Sequence, residues 1–211
     1  MEPKIRIKKK AHELFMGLGI RSVSMDDIAT QLGMSKKTIY QYYADKDELV
    51  NAVMDDEELR MQTDCNSCNV GSKDAIDEVF RNIRLIYEQF SQMNPMVLHD
   101  LEKFHPSAFG RFLKMKNEFL HQVIHSNLLR GIAEGLYRPE INVDVLTKYR
   151  LESIMLPFNI FVFPPAKYSL AEISREMTVN FLFGLASQKG YELIIKYNAE
   201  FDPKQVNYEN T

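Results

Sequence analysis

Long apolar runs are missing from this sequence. Nothing approaches the roughly 20 consecutive apolar residues that a membrane-spanning helix needs; the longest candidate, Ile154 to Phe163, is interrupted by Pro157 and Asn159. The segment Met1 to Lys10 is charged and lacks the apolar stretch of a secretory signal. Cysteine is scarce: Cys65 and Cys68 are too few for a disulfide framework, which suits a reducing compartment. A cytoplasmic chain without a membrane partner is therefore expected. Catalytic signatures are also missing. There is no glycine-rich phosphate loop, no nucleophile elbow and no Ser/His/Asp set whose placement can be argued, so neither an enzyme nor a cofactor is expected.

The 211 residues, 45% hydrophobic and 26% charged, suffice to bury a core. Strand-type alternation is almost absent, and helical spacing dominates. Between 74 and 93 the apolar residues Ile76, Val79, Phe80, Ile83, Ile86, Tyr87, Phe90 and Met93 recur at three and four. Asn94-Pro95 ends that helix, and a short one is predicted from Pro95 to Phe104. Pro106 is placed to start a long helix running to a Gly135 cap. A further helix is predicted from Val143, with Pro157 bending or ending it, and a last one from the Ser169 cap to Gly190. The pattern predicts an all-α fold: an N-terminal three-helix domain over 1–50, then a helical bundle over 51–211.

Charge is unevenly placed. Residues 1–46 hold nine Lys/Arg against five Asp/Glu, a net +4, which leaves −7 for the remainder of a chain whose formal total is −3. A basic head on an acidic body suggests that the head meets a polyanion, although a solvated charge run gives the same count. Within the head, Lys4 to Gly17 reads as one helix. Ser24 before Asp26 and Asp27 reads as the cap of a second, and Gly33 as its end. Ser35 then caps a third helix from Lys36 to Tyr43. Two helices joined by three or four residues including a glycine have helix-turn-helix geometry. With Ile28, Leu32, Met34 and Ile39 buried, the third helix is left showing Lys36, Lys37, Thr38, Gln41 and Tyr42, the residue types that meet phosphates and base edges in a major groove. An ordinary helical hairpin with a polar face fits the same pattern.

Ala11-His-Glu-Leu-Phe15, Gly19, Ile28-Ala29, Leu32-Gly33-Met34-Ser35, Thr38-Ile39-Tyr40, Tyr43 and Lys46-Asp-Glu-Leu49 together resemble the N-terminal domain of TetR-family transcriptional regulators. The stretch from Leu129 to Pro139 resembles part of that family's regulatory domains. The resemblance implies a homodimer on a near-palindromic double-stranded DNA operator, repressing by default and released by a small-molecule effector. It places Ser35, Lys36, Lys37, Thr38, Gln41 and Tyr42 on the recognition helix, with Ser24 and Lys46 against phosphates at the starts of the second and fourth helices. Tyr40 would hold the recognition helix, its hydroxyl reaching backbone. Lys37 stands where a small residue is common, and Tyr43 where phenylalanine is. Asp47 to Arg60 would be the helix that links head and body, and 51–211 the ligand-binding and dimerisation domain.

The body supplies candidates of its own. Ile173, Met177, Phe181 and Leu185 form a stripe, with Gly184 allowing close approach, suited to a dimer contact or equally to the chain's own core. Phe80, Tyr87, Phe90, Phe104, Phe112, Phe119, Met155 and Phe158 suit either a pocket for an apolar or aromatic effector or plain core packing. Cys65 and Cys68 have the spacing of half a zinc site or a redox pair, and His121 and His125, one turn after Glu118, could hold a divalent metal. Neither set is complete, so no metal is expected. A redox- or metal-responsive regulator, and a helical protein-interaction module that does not bind DNA, are the alternative readings.

Overall fold

Capping side chains and turn residues delimit eleven helices among residues 2–201, which the computed structural model describes; the last ten residues of the expected 51–211 segment lie outside them. Among the described residues β-structure is confined to an isolated antiparallel bridge between Tyr137 and Ala186. The all-α expectation holds.

The first compact unit is built from residues 2–61 and 92–114. Helix α1 (Pro3–Leu18) turns its buried residues Ile7, Ala11 and Phe15 inward. Helix α2 (Met25–Leu32) starts on a capping box: the Ser24 hydroxyl accepts the Asp27 N–H at 3.1 Å, and the Asp27 carboxylate accepts the Ser24 N–H at 2.8 Å. It stops at Gly33, whose φ of 63° lies in the left-handed region, and the Met34 N–H closes the turn on the Ala29 carbonyl at 2.9 Å. Ser35 caps α3 (Lys36–Tyr40) by accepting the Thr38 N–H. That helix is shorter than the predicted Lys36–Tyr43: residues 41 and 42 form a turn, though Tyr43 still donates to the Ile39 carbonyl.

Helix α4 runs from Lys46 to Gly71, 26 residues or about 39 Å, well past the predicted end at Arg60. The chain returns to the first unit with α6 (Met96–Phe104) and α7 (Pro106–Met115). The Asn94 N–H donates to the Met16 carbonyl at 2.6 Å, and the buried Asp100 carboxylate accepts the Arg21 N–H at 2.9 Å. Val97, Leu101 and Ala108 join Ile7, Phe15, Ile28, Ile39 and Leu49 in one core. This unit is therefore larger than the 1–50 segment set off by sequence, because a stretch from the middle of the chain completes it.

The second compact unit comprises 62–91 and 115–201. Helix α5 (Ala75–Ser91) buries the face predicted from its spacing, packing chiefly on α10 (Leu170–Leu185). Two departures from the predicted helices occur here. A π-helical turn, Lys116–Leu120, precedes α8 (His121–Ala133), where sequence predicts uninterrupted helix. The last predicted helix, Ser169 to Gly190, is in fact two. Ala186 is extended, Ser187 caps α11 (Gln188–Ala199), and the break is pinned from outside: Arg138 N–H donates to Leu185 O, and Ser187 N–H to Leu136 O, each at 2.9 Å. Gly190 is therefore in the first turn of α11, where an added Cβ would lie 2.0 Å from the Leu136 carbonyl oxygen. Helix α9 (Val143–Ser153) starts on the Asn142 cap and gives way to a short 3-10 turn at Leu156–Phe158, the break predicted at Pro157.

Candidate nucleic-acid interface

Ile39 and Tyr43, at 0% and 2% exposure, anchor α3 in the core and so decide which side faces outward. The Tyr43 hydroxyl donates to the Lys4 carbonyl at 3.4 Å, and the Lys4 ammonium lies 5.6 Å from the Tyr43 ring centre. Lys36, Lys37, Tyr40 and Gln41 are exposed, and Thr38 is half-buried. Lys36 pairs with Asp26 at 2.8 Å and lies 5.9 Å from the Tyr40 ring centre. The Asp26 carboxylate raises its pKa and keeps it cationic. The face therefore presents two ammonium groups and a phenol on one short helix, with an amide in the turn that follows it.

Several predicted residues are held differently from the expectation. Tyr40 is 42% exposed, beside Lys36; the inward phenol whose hydroxyl reaches backbone is Tyr43. Tyr42 is half-buried against the core instead of standing free. Lys46 turns inward: its ammonium donates to the Ile20 carbonyl at 2.6 Å and lies 5.9 Å from the Phe15 ring, and burial lowers its pKa. Only its remaining protons are available to a phosphate. Ser24 and Ser35 are exposed at the helix starts, but both hydroxyls are already engaged, with Asp27 and Thr38. Sequence spacing finds the exposure of Lys36, Lys37 and Gln41; it does not find that of Tyr40, nor Asp100 and Asn94, which hold the end of α1 and the loop after it from some eighty positions away.

The other candidate sets are scattered more widely. Phe80 is 1% exposed and packs on Tyr197, which makes it a core residue of the second unit. Phe90 and Phe158 meet edge-on at 5.3 Å, Tyr87 meets Phe201, and Phe119 and Met155 are half-buried. Phe104 and Phe112 belong instead to the first unit, where Phe104 lies under the Arg21 guanidinium at 4.9 Å and Phe112 stacks on Phe109. Of the predicted dimer stripe, Leu185 is 1% exposed in the unit's own core and Ile173 is also buried; Met177 and Phe181 are half-buried and Gly184 is exposed. The hydrophobic side chains that do stand in solvent on α9 and α11 are Val145, Tyr149, Tyr191 and Ile195.

Cys65 and Cys68 are free, and burial pushes both thiols up to about 11, far from the reactive thiolate a redox sensor needs at neutral pH. His121 and His125 stack at 5.9 Å, but no group of three His, Cys, Asp or Glu able to hold a metal occurs among the described residues. None of the described helices is long and apolar enough to cross a membrane.

Comparison with known proteins agrees with this geometry. Residues 7–53 match the family described as bacterial regulatory proteins, tetR family. The chain is 29% identical over 175 residues to the HTH-type transcriptional regulator SAB2452 of Staphylococcus aureus, covering 77% of this chain and 81% of that protein. It is 32% identical over 89 residues to the uncharacterised HTH-type transcriptional regulator YvaF of Bacillus subtilis, covering 42% of this chain and only 47% of that protein's length. A TetR-family regulator from Agrobacterium tumefaciens shares the fold at a TM-score of 0.73 and 14% identity, over 87% of this chain and 97% of the other.

Proposed function

We propose, from the match of residues 7–53 to the tetR family of bacterial regulatory proteins and the likeness to HTH-type transcriptional regulators, that this chain is a DNA-binding regulator of that family, a ligand-responsive repressor working in the cytoplasm as a homodimer on a near-palindromic operator. The observation that carries the reading is the outward face of α3, with Lys36, Lys37, Tyr40 and Gln41 exposed over the buried anchors Ile39 and Tyr43. In a dimer, two such faces enter successive major grooves about 34 to 36 Å apart. Lys36 and Lys37 meet phosphate or guanine edges, Gln41 and Thr38 read bases, and Tyr40 and Tyr42 flank them. Ser24, Ser35 and the free protons of Lys46 take phosphates at the rim. Residues 1–50 hold the DNA-binding elements; 51–211 bind the effector and the second subunit.

The dimer contact is assigned to α9, α10 and α11, where Val145, Tyr149, Tyr191 and Ile195 stand exposed beside Met177, Phe181 and Gly184. The effector is a small, partly apolar molecule received near the half-buried Tyr87, Phe90, Phe119, Met155 and Phe158. Its binding changes the spacing of the two recognition helices, a coupling of about 1 to 3 kcal/mol. A gel-shift titration with the promoter region beside the protein's own gene tests the reading. A discrete, salt-sensitive complex is expected. Absence of any complex on that DNA, with a folded dimer, would remove the regulator reading and favour a protein-interaction module.

A further inference from the structure

Several cations of the second unit are matched with carboxylates. Lys116, 4% exposed, bonds Glu152 at 2.8 Å; Arg130 pairs with Glu78 and Glu134; Arg81 pairs with Asp77. Arg150 is not so matched. Its Nη2 donates to Thr178 Oγ1 at 2.6 Å and its Nη1 lies at the limit of hydrogen bonding, 3.5 Å, from Ser153 Oγ. Its guanidinium carbon lies 5.5 Å from the Phe181 ring centre. No carboxylate among the described residues pairs with it. Both hydroxyls give their own protons elsewhere, Thr178 to the Ser174 carbonyl and Ser153 to the Arg150 carbonyl, so they offer the guanidinium neutral lone pairs and nothing more.

Arginine does not shed its proton in proteins, and enclosing an unmatched guanidinium is unfavourable unless an anion or good hydrogen bonds offset it. The residue keeps some solvent contact, but the guanidinium lies deep enough that burial alone pulls its pKa down to about 10. A guanidinium has five N–H donors in a planar fork, and at most two are engaged here, which leaves an edge able to take a carboxylate in two parallel bonds. Aromatic rings lie nearby: Phe181 is against the cation, and Tyr149 lies 6.1 Å from Phe181.

We propose that Arg150 is the anion-binding point of the effector site, and that the effector is a small organic carboxylate with an apolar body. The carboxylate takes the open edge of the guanidinium, and the apolar body is received by the aromatic residues assigned above to the effector. The inference rests on the ligand-responsive reading above and narrows it from apolar molecules in general to apolar anions.

The test is calorimetric titration of the full-length chain with octanoate, decanoate and benzoate, beside octanol, decanol and benzyl alcohol. At least one carboxylate is expected to bind, with its matching alcohol at least about tenfold weaker. Arg150→Gln is expected to weaken that carboxylate about thirtyfold or more, with helical content by circular dichroism retained and with part of the affinity restored by Arg150→Lys. Equal binding of acid and alcohol, an unchanged affinity in Arg150→Gln, or no heat from any carboxylate at about 1 mM would each overturn the proposal. So would a dimer that falls apart in Arg150→Gln in the absence of ligand, since the missing anion would then be a carboxylate of the second subunit. The acid-to-alcohol comparison uses the unaltered chain and stands even if both variants unfold. Operator binding by the unaltered, ligand-free chain is measured separately, so a protein that binds DNA but no carboxylate loses this inference alone.

Discussion

At the scale of single side chains, orientation separates residues that look alike in the sequence. Lys37 and Lys46 are both cations of the head, yet Lys37 is exposed while Lys46 is committed to the Ile20 carbonyl. Lys37→Ala is expected to weaken operator binding and to lower the slope of affinity against salt by about one charge. Lys46→Met is expected to change that slope less and instead to lower thermal stability, by about 1 kcal/mol for the lost bond to a buried carbonyl; equal slopes for the two variants would refute the assignment. Gln41→Ala is expected to shift base preference at one operator position by about 1 to 3 kcal/mol, read from a panel of single-base operator variants. The exposure of Lys36, Lys37 and Gln41 was legible because helical period and the anchors Ile39 and Tyr43 determine it locally. The inward turn of Lys46 was not, because its acceptor lies 26 positions earlier in the chain and only the folded head brings the two together.

The same scale carries a pH prediction. Burial raises the Cys65 and Cys68 thiols from 9.0 to about 11. The folded chain therefore holds these protons more tightly than the unfolded one. Below pH 9 both states are protonated and the stabilisation is fully present; between about pH 9 and 11 the unfolded state ionises first, and stability declines. Denaturant midpoints measured across that range should fall more steeply for the natural chain than for a Cys65→Ser, Cys68→Ser variant compared at the same values. At pH 7.5 an aromatic disulfide reagent should react with the native protein far more slowly than with the unfolded one.

Among the elements, helix starts with a cap local in sequence were legible, apart from the Ser187 start of α11. Ser24, Ser35, Asn142 and Ser169 each bond an N–H three residues on, and each opens a predicted helix. The break at Ala186 was not legible, because it is held by the backbone of residues 136 and 138, fifty positions away. Nothing in the local apolar spacing of residues 169–190 signals it. A substitution probes that break directly. In Gly190→Ala the new methyl would meet the Leu136 carbonyl oxygen, a backbone atom that cannot swing aside. Destabilisation of about 2 kcal/mol or more is expected by thermal or urea unfolding; a neutral result would mean that α11 readily shifts along the Leu136–Tyr137 segment. The π turn at Lys116–Leu120 was likewise invisible to helical period, which continues in sequence through Phe119, Leu120, Val123 and Ile124.

For the molecule as a whole, the prediction concerns assembly. The exposed pair Tyr191 and Ile195 lies one turn apart on α11, and replacing both with aspartate puts like charges on that face. Sedimentation at micromolar concentration is expected to show a dimer for the natural chain and a monomer for Tyr191→Asp, Ile195→Asp. Operator affinity should fall by about a hundredfold or more as the second head is lost. A doubly substituted chain that stays dimeric would move the contact elsewhere. The all-α class was legible from sequence, whereas the make-up of the two compact units was not, because contiguity along the chain gives no sign that residues 92–114 belong with the head.

The brace from Asn94 and Asp100 onto the backbone of Met16 and Arg21 bears on how the protein can be cut and recombined. A gene fragment ending at codon 50 would encode the recognition helix without the Asn94 N–H and the Asp100 carboxylate that hold the end of α1 and the loop after it, and Val97, Leu101 and Ala108 would leave bare apolar surface behind. Chimeric regulators that graft this reading head onto a foreign sensor should accordingly take the insert 92–114 along with it, as a discontinuous cassette.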